Sequence, residues 1–257
     1  MLSLIERWLK GAALEAQEYV RLVRDAIRGI ATRPRYKHDI VEQFDLLGVG
    51  SLTVVVLTGL FTGAALASQS GLTLDQFGAR PVVGRLVSAS MVKELGPVLA
   101  ALMLTSRIGS GIAAELGSMV VTEQISALRA LGTDPIRKLV VPRMLAGIFM
   151  APVLTIVSDF VGIFGGWIVA RFQLQVSSAL YWSSVTDALY MQDIYQGIIK
   201  PFVFGFVIVT IACHVGLRTT GGTQGVGRST TNSVVAGSIV VLALDFLITK
   251  FLVTAIY

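Results

Sequence analysis

Five apolar stretches, each long enough to cross the roughly 30 Å hydrocarbon core of a bilayer, constrain this chain more than any other feature of it. A backbone in hydrocarbon finds no water for its N–H and C=O groups, so each stretch has to be helical. The spans are expected at about 46–67, 86–109, 144–170, 198–217 and 234–256. Composition agrees: 54% of the 257 residues are hydrophobic, 14% are charged, and the mean hydropathy is +0.74. The expected fold is an all-α integral membrane protein, with one membrane domain over 46–257 behind an N-terminal segment, 1–45.

That segment has its own pattern. Leu4, Trp8, Ala12, Tyr19, Val23, Ile27 and Ile30 recur every three or four positions, with Arg7, Lys10, Arg21, Arg24 and Arg28 between them. The pattern predicts an amphipathic helix, and Trp8 with the arginine excess suits one lying in a headgroup layer. A soluble helix packed on a partner is the alternative. Acids and bases mixed throughout do not resemble a cleavable signal. Thr32 to His38, with Arg33, Pro34, Arg35 and Lys37, should break the helix.

Within the spans, Gly59 and Gly63, and later Gly162 and Gly166, have the four-residue spacing that lets helices approach closely. Pro152 predicts a kink. Residues 68–85 read as a turn-rich excursion, and 176–196, with Tyr181, Trp182, Tyr190, Asp193 and Tyr195, as an outer interfacial helix. The stretch 110–143 carries Glu115, Glu123, Gln124, Arg129, Asp134, Arg137, Lys138 and Arg143, so it is expected outside the membrane. Inside it, Ile125, Leu128 and Leu131 predict a short amphipathic helix ending near Gly132, and such a helix needs something to dock on. A glycine-rich loop is expected over 218–232.

Fifteen Lys and Arg fall on the side of the N-terminus and of the 110–143 segment, against Arg80, Arg85, Lys93, Arg171 and Lys200 opposite, with Lys250 left inside the last span. This places the N-terminus in the cytoplasm and, after five crossings, the C-terminus outside. The net charge of +5 thereby reads as orientation, with no call for a nucleic-acid partner. The single cysteine, Cys213, allows no internal disulfide, and no Cys/His set has metal-site spacing, so no metal and no cofactor are expected in the chain.

Few residues suggest chemistry. Gly222 to Ser229 approaches the phosphate-loop pattern, but Arg228 stands where lysine is required and an α/β domain has no room here, so a flexible loop is the better reading. Ser110 and His214 form an imaginable protease dyad that nothing else supports. Lys93 and Glu94 are more informative, because adjacent charges at the edge of an apolar run need partners or water. They either anchor the helix at headgroup level or line a cavity that receives a charged headgroup. Asp159 and Asp245 lie deeper and attract the same question, with Ser, Thr or Lys250 as plain partners.

Read in order, Lys93-Glu94-Leu95-Gly96-Pro97, Arg107-Ile108-Gly109-Ser110, Ala114-Glu115-Leu116-Gly117, Thr122-Glu123-Gln124, Asp134-Pro135, Pro142-Arg143 and Leu244-Asp245-Phe246 resemble the MlaE permease family, over most of the chain from about Leu46. The resemblance implies the permease subunit of an ATP-binding-cassette phospholipid transporter in the bacterial inner membrane. It implies a homodimer, a cytoplasmic ATPase that uses ATP and Mg, an MCE-domain lipid shuttle in the periplasm, and often a STAS-domain protein. Carried over by motif, Glu94 and Lys93 would line the lipid cavity, while Glu123 and Gln124, with Leu128 and Arg129 of the same short helix, would couple to the ATPase. The run around Gly222 to Ser229 looks closer to actinobacterial relatives. The competing classes are an ion-coupled secondary transporter, for which no internal repeat is visible, and a lipid-modifying enzyme, for which only His38 and His214 offer imidazole.

Overall fold

In the computed structural model, residues 2–31 and 36–256 are described; the side chains of residues 2–9, 12, 31, 253, 255 and 256 lie outside that description. The side chains of Leu4, Arg7 and Trp8 and the break at residues 32–35 therefore fall outside it too. Every described element is helical: α1 (Leu2–Ala31), α2 (Lys37–Asp75), α3 (Arg80–Val121), α4 (Gln124–Ala130), α5 (Ile136–Phe172), α6 (Ser178–Ala188), α7 (Met191–Leu217) and α8 (Gly222–Ile256). Five of these, α2, α3, α5, α7 and α8, are long and apolar enough to cross a membrane, so the chain is a multi-pass, all-α membrane protein.

The helices outrun the apolar stretches. α3 continues unbroken to Val121, through residues expected outside the bilayer, because Ile112, Ala113, Leu116 and Gly117 bury against α7 and α8. Only 122–135 remain as a connection, with α4 inside it. The expected loop at 218–232 contracts likewise. Gly221 and Gly222 take positive φ, +87° and +65°, and from Gly222 the chain is helical. Glycines read as loop formers instead lie in a membrane helix, where Gly225 lets the Thr220 carbonyl of the preceding turn pack close. The expected helix at 176–196 divides at the extended residues Leu189 and Tyr190, so Asp193 belongs to α7.

Lipid tails are as apolar as leucine, so helices in hydrocarbon associate by close backbone approach. The most extensive packing is between α2 and α5. There Gly59 faces Ser158, Gly63 faces the carbonyl of Gly162, and Gly165 faces that of Leu60. Gly147 and Gly205 oppose each other between α5 and α7, each blocking the space a methyl on the other would need. At the other side, Ser233 Oγ on α8 donates to the Gly109 carbonyl on α3 at 3.1 Å. Phe61, Phe160, Phe246 and Phe251 stay exposed, as lipid-facing residues do.

Two buried clusters follow. The larger runs from Leu104, Ile108, Leu116, Met144 and Phe204 to Ile125 of α4 and Leu22 and Ala26 of α1, so short α4 and long amphipathic α1 are both seated on the bundle. The smaller joins Val83, Val87, Met91 and Ile163 to Tyr181 of α6, whose hydroxyl donates to the Ile163 carbonyl at 2.9 Å. Burial pushes the Tyr181 phenol above its ordinary pKa. On α1, Leu14, Val20 and Ile27 remain exposed while Leu22 and Ala26 are buried, so its apolar side is shared between protein and surroundings.

Candidate functional site

The site begins with a proline. Pro97 has no N–H, so the carbonyl four residues before it, that of Lys93, loses its α-helical donor. The turn Met91–Leu95 is widened accordingly, with the Gly96 N–H reaching back to the Met91 carbonyl. On α7, Gly197 lies against the Val92 carbonyl, which brings α7 close enough for Lys200, one turn later, to meet this turn. Lys200 Nζ donates to the freed Lys93 carbonyl at 2.9 Å and to Glu94 Oε2 at 2.7 Å. It lies 3.0 Å from Asp245 Oδ1 of α8, an ion-pair distance without hydrogen-bond alignment. Three oxygens thus surround an ammonium with three protons and no solvent exposure.

The cluster extends both ways. Thr249 Oγ1, one turn beyond Asp245, donates to Glu94 Oε1 at 3.1 Å. Lys93 Nζ pairs with Asp193 Oδ1 at 2.8 Å, and the other Asp193 oxygen accepts the Tyr190 N–H at 3.3 Å, capping α7. Five charged side chains, two ammonium groups and three carboxylates, thereby tie α3, α7 and α8 together. They are unequal in exposure: Lys200 and Asp193 are 0% and 2% exposed, Lys93 32% and Glu94 40%. Charge at depth is expensive without partners, and the two most exposed members, Glu94 and Lys93, keep surface of either sign beside their internal partners. Close by, Gly96 leaves room for the Asp159 carboxyl, whose Oδ1 is buried with no hydrogen-bond partner among the described residues.

Lys200 and Asp193 escaped sequence reading. Lys200 counted as an outer-side charge, but α7 starts at Met191, which puts Lys200 about 13 Å into the helix. Its signal was present as Lys200-Pro201 inside an apolar run. Asp245 pairs with Lys200 where a Ser, a Thr or Lys250 was expected, and Glu94 also takes Lys200. Arg107 donates to Ser51 Oγ at 2.8 Å.

At the opposite end, Glu123 has positive φ (60°) and starts α4, and Ser126 Oγ donates to its carboxylate. Ile125 is buried and Leu128 packs on the same core, whereas Leu131 is 80% exposed, so the three do not share a face. Gln124 and Arg129 are exposed, with Gln124 Nε2 donating to Thr122 Oγ1 at 3.0 Å. Beneath α4, the buried Arg143 guanidinium donates to Glu115 at 2.6 Å and to the Leu139 carbonyl at 2.7 Å, joining α3 to α5. Ser110 and His214 do not form a dyad: Ser110 Oγ donates within its own helix to Ser106, and His214 packs edge-on to Tyr19 at 5.6 Å.

The family model described as Permease MlaE matches residues 40–251. A probable ABC transporter permease protein of Rickettsia conorii is 42% identical over 225 residues, 88% of this chain and 87% of its own length. One of a Synechocystis strain is 38% identical over 82% of this chain and 80% of its own. The intermembrane phospholipid transport system permease protein MlaE of Haemophilus influenzae is 38% identical over 83% of this chain and 82% of its own.

Proposed function

The chain belongs to the MlaE permease family, and from that premise we propose that it is the membrane subunit of an ABC-type transporter that moves phospholipid between the bacterial inner membrane and a periplasmic MCE-domain shuttle. It works as a homodimer. ATP and Mg are handled by a separate cytoplasmic ATPase, with a STAS-domain protein as a further subunit. The N-terminus is cytoplasmic and the C-terminus periplasmic. The observation that carries the reading is the charge cluster held between α3, α7 and α8, with Glu94 and Lys93 turned to open space and Lys200 locking them from behind. A carboxylate beside an ammonium offers both partners that a phospholipid headgroup needs.

Replacing Glu94 by Gln, Ala and Lys tests it. Lipid transfer between reconstituted membranes is expected to fall about tenfold or more, as loss of a charge-assisted contact predicts, with the complex still recovered intact by size exclusion. Normal transfer by all three variants removes the cavity role. Co-elution of an ATPase with the wild-type chain separates this reading from an ion-coupled transporter.

The α4 turn is the coupling element of the proposal, formed by Glu123, Gln124, Leu128 and Arg129. Leu128 packs on this chain's own core, so Leu128→Asp disturbs folding as well; the exposed Arg129→Glu and Glu123→Lys are the cleaner probes. Each is expected to lower lipid-stimulated ATPase activity several-fold without lowering thermal stability, as surface substitutions rarely shift it by more than about 0.5 kcal/mol. Unchanged co-purification together with unchanged ATPase activity takes the coupling role away.

A further inference from the structure

A cleft of about 470 Å³ opens where α7 ends and α8 begins, against α1. It is remote from the charge cluster, since Lys200 to His214 spans about 21 Å of α7. Because consecutive spans alternate in direction, this is the same end of the bundle as α4. The packing agrees, with Gly216 on Ala113 and Leu116, and Gly117 on Thr219.

α1 is tied down at this place. Tyr19 hydrogen-bonds Thr210 Oγ1 at 2.8 Å and covers His214, and Arg218 pairs with Glu18. Burial raises the Tyr19 phenol above its ordinary pKa, against the opposing pull of Thr210, so the hydroxyl stays protonated in this role. What these contacts leave over is specific. Arg228 of α8 and Glu15 of α1 both line the cleft, and neither makes a hydrogen bond or ion pair with another described residue, each other included. Asn232 adds an amide, while the Ser229 hydroxyl is engaged with Thr219 at 2.8 Å.

A guanidinium and a carboxylate facing one cleft, joined neither to each other nor to another described residue, complement a dipolar ligand. Arginine matches phosphate, and a carboxylate matches an ammonium that still carries N–H donors. A quaternary amine offers no such donor and favours a cage of Trp, Tyr or Phe rings, and among the described residues none of these lines the cleft, His214 being its one ring. An amphipathic helix that exposes Leu14, Val20 and Ile27 beside its arginines sets the cleft at headgroup depth. We propose that it holds the headgroup of an ethanolamine-type phospholipid from the leaflet on which α1 lies, with phosphate on Arg228 and ammonium on Glu15. The near match to a phosphate loop at Gly222 to Ser229 then has a use: its Arg228 is the phosphate ligand, on a helix of a membrane bundle.

The test uses the complex as purified, in phosphatidylcholine nanodiscs doped with phosphatidylethanolamine or phosphatidylglycerol bearing a diazirine near the glycerol. Labelled peptides locate the lipid. The ethanolamine lipid is expected to label peptides within residues 214–232 about tenfold more than the glycerol lipid. Arg228→Gln should abolish this label, Glu15→Gln should erase the preference between the lipids, and Glu94→Gln should leave it intact. Equal labelling by the two lipids in the wild type overturns the proposal, as does a label indifferent to Arg228→Gln and Glu15→Gln. Loss of the label in Glu94→Gln assigns it to the charge cluster instead. Displacement by free phosphorylethanolamine at concentrations matching the lipid replaces the lipid with a soluble ligand and also overturns it.

Discussion

Lys200→Met is expected to destabilise the protein by about 3–5 kcal/mol, the range for breaking a buried charge network by removing one partner. The side chain has no exposure, hydrogen-bonds the Lys93 carbonyl and Glu94, and lies at ion-pair distance from Asp245. Methionine of similar length fills the volume but leaves the Lys93 carbonyl and the Asp245 carboxylate, which is 18% exposed, without their ammonium, while only the 40% exposed Glu94 can turn to water. The loss should appear as a lower thermal midpoint and poor recovery of monodisperse protein. A triple variant, Lys200→Met with Glu94→Gln and Asp245→Asn, removes the stranded charge and is expected to recover most of the stability while lipid transfer stays lost. If Lys200→Met alone keeps wild-type stability, the cluster does not hold α3, α7 and α8 together. If the triple variant transports normally, the charges have no part in lipid handling.

Substitution at Gly63 should be graded by volume. A methyl group there would overlap the Gly162 carbonyl of α5, which is backbone and cannot swing aside as a side chain would. Gly63→Ala is therefore expected to cost about 1–3 kcal/mol, and Gly63→Leu to yield no folded protein, since separating α2 from α5 dismantles the largest helix contact. Gly227, also in a membrane helix, has no atom near its missing Cβ, so Gly227→Ala is the control and should fold normally. Equal recovery of all the variants, measured by fluorescence-detected size exclusion, would show that the contact has slack.

The class of the protein was written in the sequence because hydropathy is local. A run such as Met144 to Ala170 must be a membrane helix wherever its neighbours lie, since its own backbone can satisfy itself only in that way. Gly59, Gly63 and Gly162 were legible for a related reason, as small residues at helical spacing serve close approach. Motif order carried the family, and with it Glu94 and Lys93. Where helices end was not legible. Ser110 to Val121 and Gly222 to Asn232 look too polar or too glycine-rich to continue a span, and they continue because α7 and neighbouring helices bury one side of each.

The partners of charges were the other thing that only the tertiary structure decided. Hydropathy tells that Asp159 and Asp245 are costly in a membrane, but the pairing of Lys200 with Glu94, 106 residues earlier in the chain, depends on Gly197 and Pro97. One lets α7 approach and the other frees a carbonyl, and neither effect exists until the helices have packed. The same holds for Arg228 and Glu15, which come to line one cleft only when α1 packs beside α8. Sequence determines which segments enter the membrane, because that balance is summed over a single helix. It leaves open which charges meet there, because that depends on distances between helices set by packing.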